Sequence, residues 1–237
     1  MSYGPRAGLF ALDTPEDIDS YVNSLQREYT SDISRYGTWQ DRIDAFSMRD
    51  HIFRTRSLKD TQTGTTYNAA EHFRRVLADP RNRDGSGNLR LSFTLSLAPT
   101  EAVFNSRFCS DKITQITASL VGAGLGAVQP EIIIEQRGTA YLRSCRDKDG
   151  GGQYALREYG LKNSLGKRRI VLQAGVNLTG PTDPKASLLA NKELYGRPIS
   201  AQYEVTIDRK DPANASLDLT KLDDLVLFLS HETRTVQ

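Results

Sequence analysis

No stretch of the 237 residues approaches the roughly 20 consecutive apolar positions that a membrane-spanning helix needs. Cysteine is scarce. Cys109 and Cys145 are too few for a disulfide scaffold, and neither sits in a CxxC pair that would point to zinc. The expectation is two reduced thiols in a protein made in the cytoplasm, with a single bridge only if the chain is exported by another route. Met1 to Asp13 lacks the basic start and apolar core of a signal peptide. An excess of one charge is missing as well. The formal net charge is +2; residues 1–88 hold 12 Lys/Arg against 13 Asp/Glu, and residues 89–237 hold 19 against 16. Nucleic acid and anionic membrane surfaces are therefore excluded as default partners. His51, His72 and His231 are the only histidines, and none forms an HxH or HExxH spacing. They read as surface or interface residues. The single tryptophan, Trp39, leaves few flat rings for a sugar platform, with Tyr141, Tyr154, Tyr159, Tyr195 and Tyr203 as the remaining candidates.

What is present divides in two. Thr14-Pro15-Glu16-Asp17 is a helix start, with a hydroxyl cap, proline in the first turn and acids at the positive end. Ile18, Val22, Leu25, Tyr29, Ile33 and Tyr36 follow at three- and four-residue intervals, one apolar stripe that Gly37 ends. Thr38 and Asp41 offer a second cap, and Trp39, Ile43, Phe46 and Phe53 read as a second buried helical face. A third helix is expected from Ala69 to Ala78, with Asn68 as cap, Glu71 closing the box and Pro80 as the stop.

After Asp84-Gly85-Ser86-Gly87-Asn88 the period changes to two. Leu89, Leu91, Phe93, Leu95 and Leu97 alternate with polar residues, a strand with one wet face. Further strands are expected at 112–121, 131–136, 139–144, 168–174, 201–207 and 224–231, mostly separated by turn residues. Strands joined by turns rather than helices mean an antiparallel sandwich. The expected fold class is α+β, with short N-terminal helices over residues 1–86 and a jelly-roll-like β-sandwich over 87–237. Asp147–Gln153 and Leu178–Lys192 read as long loops.

Sharper motifs dissolve on inspection. Gly122, Gly124 and Gly126 spell GxGxG, but Pro130 and Ile132-Ile133-Ile134 follow where a dinucleotide fold needs a helix. They read as a turn between strands. Asn82–Leu89 resembles an EF-hand start, but Phe93 stands where a bidentate glutamate belongs. Asp147-Lys148-Asp149 could hold calcium only weakly, and a hairpin loop explains it better. No GxSxG elbow supports a serine triad. No catalytic, cofactor-binding or metal residue is assigned, and no cofactor is expected.

The strongest pointer is Leu225-Val226-Leu227-Phe228-Leu229, apolar on both faces. Such a strand is covered on its second face by its own chain or by a partner, and the pattern leaves both open. Leu225, Leu227, Phe228, Leu229 and the adjacent His231 are the docking candidates. Longer stretches add a resemblance. Lys112–Ser144, "KITQITASLVGAGLGAVQPEIIIEQRGTAYLRS", and Leu194–Ile207, "LYGRPISAQYEVTI", continued by Asp211–Arg234, "DPANASLDLTKLDDLVLFLSHETR", resemble the C-terminal β-sandwich of the large A subunits of insecticidal Tc toxin complexes and related large bacterial proteins. Tyr203 and Val205 stand where that family favours tryptophan and leucine, and His231 lies near its usual tyrosine. The resemblance covers roughly residues 89–237 and carries over no ligand residue and no pore. It implies a non-catalytic sandwich that docks a partner subunit in a toxin-like or secretion assembly. A carbohydrate-binding module and a hydrolase with a site in the loops at 147–153 and 178–192 are the alternatives.

Overall fold

The alternation that opens at Leu89 forms strand because its leucines and Phe93 can share one dry face while Ser92 and Thr94 stay wet. That strand belongs to an α+β architecture, an antiparallel β-sandwich with helical elements ahead of and beside it. The computed structural model describes residues 15–97, 108–126, 129–148, 154–159, 167–181 and 193–235. In chain order the elements are α1 (Pro15–Tyr36), β1 (Trp39–Ser47), β2 (Leu58–Lys59), β3 (Thr66–Tyr67), α2 (Ala69–Ala78), β4 (Leu89–Leu95), β5 (Cys109–Val121) and β6 (Glu131–Lys148). They continue with β7 (Tyr154–Glu158), β8 (Arg168–Gln173), β9 (Gly175–Val176), β10 (Ser200–Ile207) and β11 (Asp224–Arg234).

The first sheet has the order β1-β11-β5-β9 and the second β4-β10-β6-β7, with β8 pairing the first half of β6. Among the described residues the parallel contact within these two sheets is the short β5–β9 pair. Between the sheets lies a core of Leu89, Leu91, Ile116, Leu120, Ile134 and Val205, each fully buried, with their neighbours.

Helix α2 forms as expected: the Asn68 side chain accepts from the Glu71 amide while Glu71 accepts from the Asn68 amide. Phe73 and Leu77 carry its buried face. The helical reading of residues 39–46 is corrected. Trp39–Ser47 is a strand paired antiparallel with β11, from Trp39 opposite Arg234 to Ser47 opposite Val226. The sandwich therefore starts at Trp39 and not at residue 87. The separate segments expected at 131–136 and 139–144 are one long strand, β6, and β7 and β9 had no sequence signal.

The glycine turn holds for a steric reason. A Cβ on Gly122 would lie 2.1 Å from the Lys221 carbonyl oxygen, and one on Gly126 would lie 2.2 Å from that of Ser216. Gly126 also has φ +84°, the left-handed region that favours glycine. The 212–221 segment packs its backbone on this loop, with the Asp218 amide donating to the Leu125 carbonyl at 2.8 Å. The Asp84 turn is equally self-contained. Its carboxylate accepts from the Ser86 and Asn88 amides and from the Asn88 side chain, which closes the turn locally.

Candidate docking surface

Residues directly opposite in a ladder share a face of the sheet. In the first sheet this gives three outward rows: Ile43, Ser230 and Gln115; Ala45, Phe228 and Thr117; Ser47, Val226 and Ser119. Exposure falls across the first two rows, while the third starts from a buried Ser47. Ile43 is 56% exposed, Ala45 is exposed and Phe228 is 5% exposed, while Gln115, Thr117 and Ser119 are buried. Leu178 accounts for part of this cover, its amide donating to the Ser119 hydroxyl at 2.9 Å. The outer face is closed over β5 and open over β1 at Ile43 and Ala45.

This places the five docking candidates. Leu225, Leu227 and Leu229 point into the core, Phe228 is buried on the outer face, and His231 is 1% exposed. The chain's own atoms cover all five, so they pack the sandwich and offer no surface. The doubly apolar pattern of β11 came from its central position in the sheet. What is open is its neighbour, β1, which lies at the sheet's edge with no second strand beside it among the described residues.

The end of the sandwich below this edge is polar inside. Asp44, Arg42 and His231 sit on inward positions, and His231 Nε2 lies 2.9 Å from Asp44 Oδ2. Asp111, from β5, lies 3.8 Å from His231 Nδ1 and accepts from the Thr233 hydroxyl at 3.2 Å. Arg143 reaches Asp111 from β6 of the other sheet at 3.2 Å, with both side chains almost fully buried. Two residues farther out on each strand, Cys109 and Cys145 form a disulfide with Cα atoms 5.2 Å apart. The expectation of two reduced thiols is corrected: a covalent bridge and a buried ion pair fasten sheet to sheet at this end. A buried guanidinium and carboxylate add little net stability, because desolvation offsets most of their attraction.

On the outside of the same end, Trp39 is half exposed and its ring carries the Arg234 guanidinium at 4.1 Å. Arg234 in turn pairs with Asp32 of α1 at 2.6 Å. Lys112 Nζ lies 5.8 Å from the Trp39 ring and 5.6 Å from that of Tyr159, and burial pushes its ammonium below the usual lysine range. Helix α1 thus leaves the sandwich from the corner where β1 begins. Its stripe is helical as expected but not buried: Ile18 is 49%, Val22 43%, Leu25 37% and Tyr29 58% exposed. The helix stripe is exposed, and on the outer side of β1 Ile43 is exposed as well.

The opposite sheet presents a different face. Glu204, itself buried, is held between the partly exposed Arg90 and Arg137, each at 2.8 Å. The aromatic candidates divide too. Tyr203 is buried, donating to the Ile199 carbonyl at 2.8 Å, and burial raises its phenol pKa. Tyr154 is buried, Tyr159 partly so, and Tyr141 and Tyr195 are exposed. His51 Nδ1 accepts from the Ser47 amide and His72 Nδ1 meets the Arg56 carbonyl. Among the described residues no group of three or more His, Cys, Asp or Glu is placed to hold a metal ion. No helix among them is long and apolar enough to cross a membrane. Of the two loops proposed for a hydrolytic site, residues 149–153 and 182–192 lie outside the described residues.

No protein-family model matches the chain, nor does any curated protein. Two solved structures are similar to it over most of its length. The TcaA-TcaB structure of Yersinia pseudotuberculosis is 13% identical with a TM-score of 0.43, covering 93% of this chain and 11% of its own. The TcdA4 structure of Morganella morganii is 14% identical with a TM-score of 0.44, covering 92% of this chain and 8% of its own. Both are Tc toxin subunits. The chain spans about a tenth of the length of each, and no residue role is taken from them.

Proposed function

We propose that this chain is a non-catalytic β-sandwich that docks a partner protein in a bacterial toxin-like or secretion assembly, through the open edge and outer face of β1. The observation that carries this reading is the contrast between faces. Over β5 the first sheet is closed, and the second sheet mixes the Arg90–Glu204–Arg137 charges with single exposed apolar residues such as Val171 and Leu156, but among the described residues β1 leaves both its edge and Ile43 exposed. A free edge strand is a template for an added strand, and proteins that do not use such an edge blunt it with lysine, proline or a bulge. Trp39–Ser47 contains neither lysine nor proline and pairs with β11 without a register shift; its inward charges, another way of blunting an edge, are engaged inside, Asp44 with His231 and Arg42 over the Phe108 ring. The setting comes from the sequence pattern of Lys112–Ser144 and Leu194–Arg234. The Cys109–Cys145 bridge supports export to an oxidising compartment after synthesis in the cytoplasm.

The test is affinity co-purification from the native host with the wild-type chain and with Ile43→Lys/Ala45→Lys. A defined protein held by the wild type and lost with the double variant, at unchanged thermal stability, supports the reading. A partner retained equally by both, or none at all, overturns it. A glycan array probed with the same two proteins checks the carbohydrate alternative.

A further inference from the structure

The α1 stripe asks for an occupant of its own. A 22-residue helix rich in serine, threonine and β-branched residues gains little from intrinsic propensity, so its stability comes from covering its apolar face. Among the described residues that face stays exposed from Ile18 to Tyr29, and the ion pair from Asp32 to Arg234 ties the helix's far end to the sandwich.

The spacing of the stripe says what fits it. Ile18, Val22, Leu25 and Tyr29 are separated by four, three and four positions, the a/d rhythm of a coiled coil, and this order reads the same in both directions. An antiparallel copy centred between Asn23 and Ser24 therefore brings Ile18 against Tyr29 and Val22 against Leu25, twice each. The flanking positions agree. Asp19 then faces Gln26 of the second copy and Tyr21 faces Glu28, so no like charges meet. A parallel pair would instead continue the layers to Asp32 against Asp32. It would also crowd two sandwiches at one end, since β1 follows the helix after only Gly37 and Thr38. The antiparallel pair sets them at opposite ends of a rod about 33 Å long and opposes the two helix dipoles favourably.

We propose that a second copy of this chain covers the α1 stripe, forming a two-fold antiparallel helix pair. Four apolar side chains per copy make a small contact, below the size of a tight dimer, so the association is a weak one in the micromolar range. The inference does not depend on partner docking at β1, and Ile43→Lys/Ala45→Lys leaves it intact.

Sedimentation velocity over about two decades of concentration, up to ~200 µM, reads the result. The wild type shifts from monomer to dimer, and Val22→Asp or Leu25→Asp weakens the dimer at least ~10-fold while the sandwich melts as before. Orientation is read by mixing Val22→Cys with Leu25→Cys chains under mild oxidation. Mixed cross-linked dimers in excess over either homodimer support the antiparallel pair; an excess of homodimers overturns it. A wild type that stays monomeric throughout, or a dimer indifferent to both aspartate variants, also overturns the proposal.

Discussion

Opening the Cys109–Cys145 bridge tests how the polar end of the sandwich is held. The bridge spans 36 positions of sequence. The chain entropy released to the unfolded state by cutting a loop of that size is worth about 4 kcal/mol. For a domain of this size each kcal/mol moves the melting temperature by about 2–4 °C, so reduction is expected to lower it by about 8–16 °C. The folded end should not gape, because Arg143 and Asp111 still join the same two strands two residues away. Most of the loss is then in the unfolded chain, and the far-ultraviolet spectrum of the reduced native protein should match that of the oxidised one. Cys109 is fully buried, so the reduced sample is made by unfolding in reductant and refolding. Oxidised, reduced and Cys109→Ala/Cys145→Ala proteins are compared by calorimetry, the reduced wild type controlling for lost sulfur packing. A drop below about 3 °C in both the reduced and double-alanine forms would refute the reasoning, since the bridge would then not constrain the unfolded ensemble.

Two other substitutions, with Gly85→Ala as a control, probe the glycine turn and the start of β11. Gly122→Ala should cost about 2–4 kcal/mol by forcing backbone away from the Lys221 carbonyl, whereas Gly85→Ala, with nothing within 4 Å of its Cβ, should change urea stability by less than about 0.5 kcal/mol. Asp224 accepts from the Ser47 hydroxyl at 2.6 Å and the Arg49 amide at 2.9 Å, yet burial dominates and raises its pKa. Between the ordinary aspartate value and this raised one, the folded state holds the proton more firmly than the unfolded state does. Stability from this group therefore falls as pH rises through that window, and Asp224→Asn should flatten that part of a pH titration of urea midpoints. An unchanged slope would show that another carboxylate governs it.

The sequence was legible where side-chain periodicity and burial agree. Leu89–Leu95 and the Asn68 capping box needed no tertiary information, because alternation and local hydrogen bonding determine them. Residues 39–47 misled for a physical reason. Trp39, Ile43 and Phe46 are spaced like a helix face, and the alternation that marks a half-buried strand is reversed there. Arg42 and Asp44 occupy inward positions because the interior at that end is built from His231, Asp111 and Arg143. A strand facing a polar interior shows its apolar residues to solvent, and no local rule separates it from a helix. The docking candidates failed in the same way: apolarity on both faces of β11 marks a central strand, and the exposed surface lay one strand away. The pairing of Cys109 with Cys145 depended on two sheets meeting, which sequence spacing does not reveal.

The position of β11 also sets a timetable for the chain. It lies between β1 and β5, which do not touch each other, and β10 lies likewise between β4 and β6. Neither sheet can close while the ribosome is still upstream of these strands. At about 5–20 residues per second, Trp39 waits on the order of 10–40 s for Arg234 to be made, with an unpaired strand and an uncovered helix beside it. Assembly of the sandwich is thus a long-range event, and this part of the nascent chain is most in need of a chaperone just before β11 emerges.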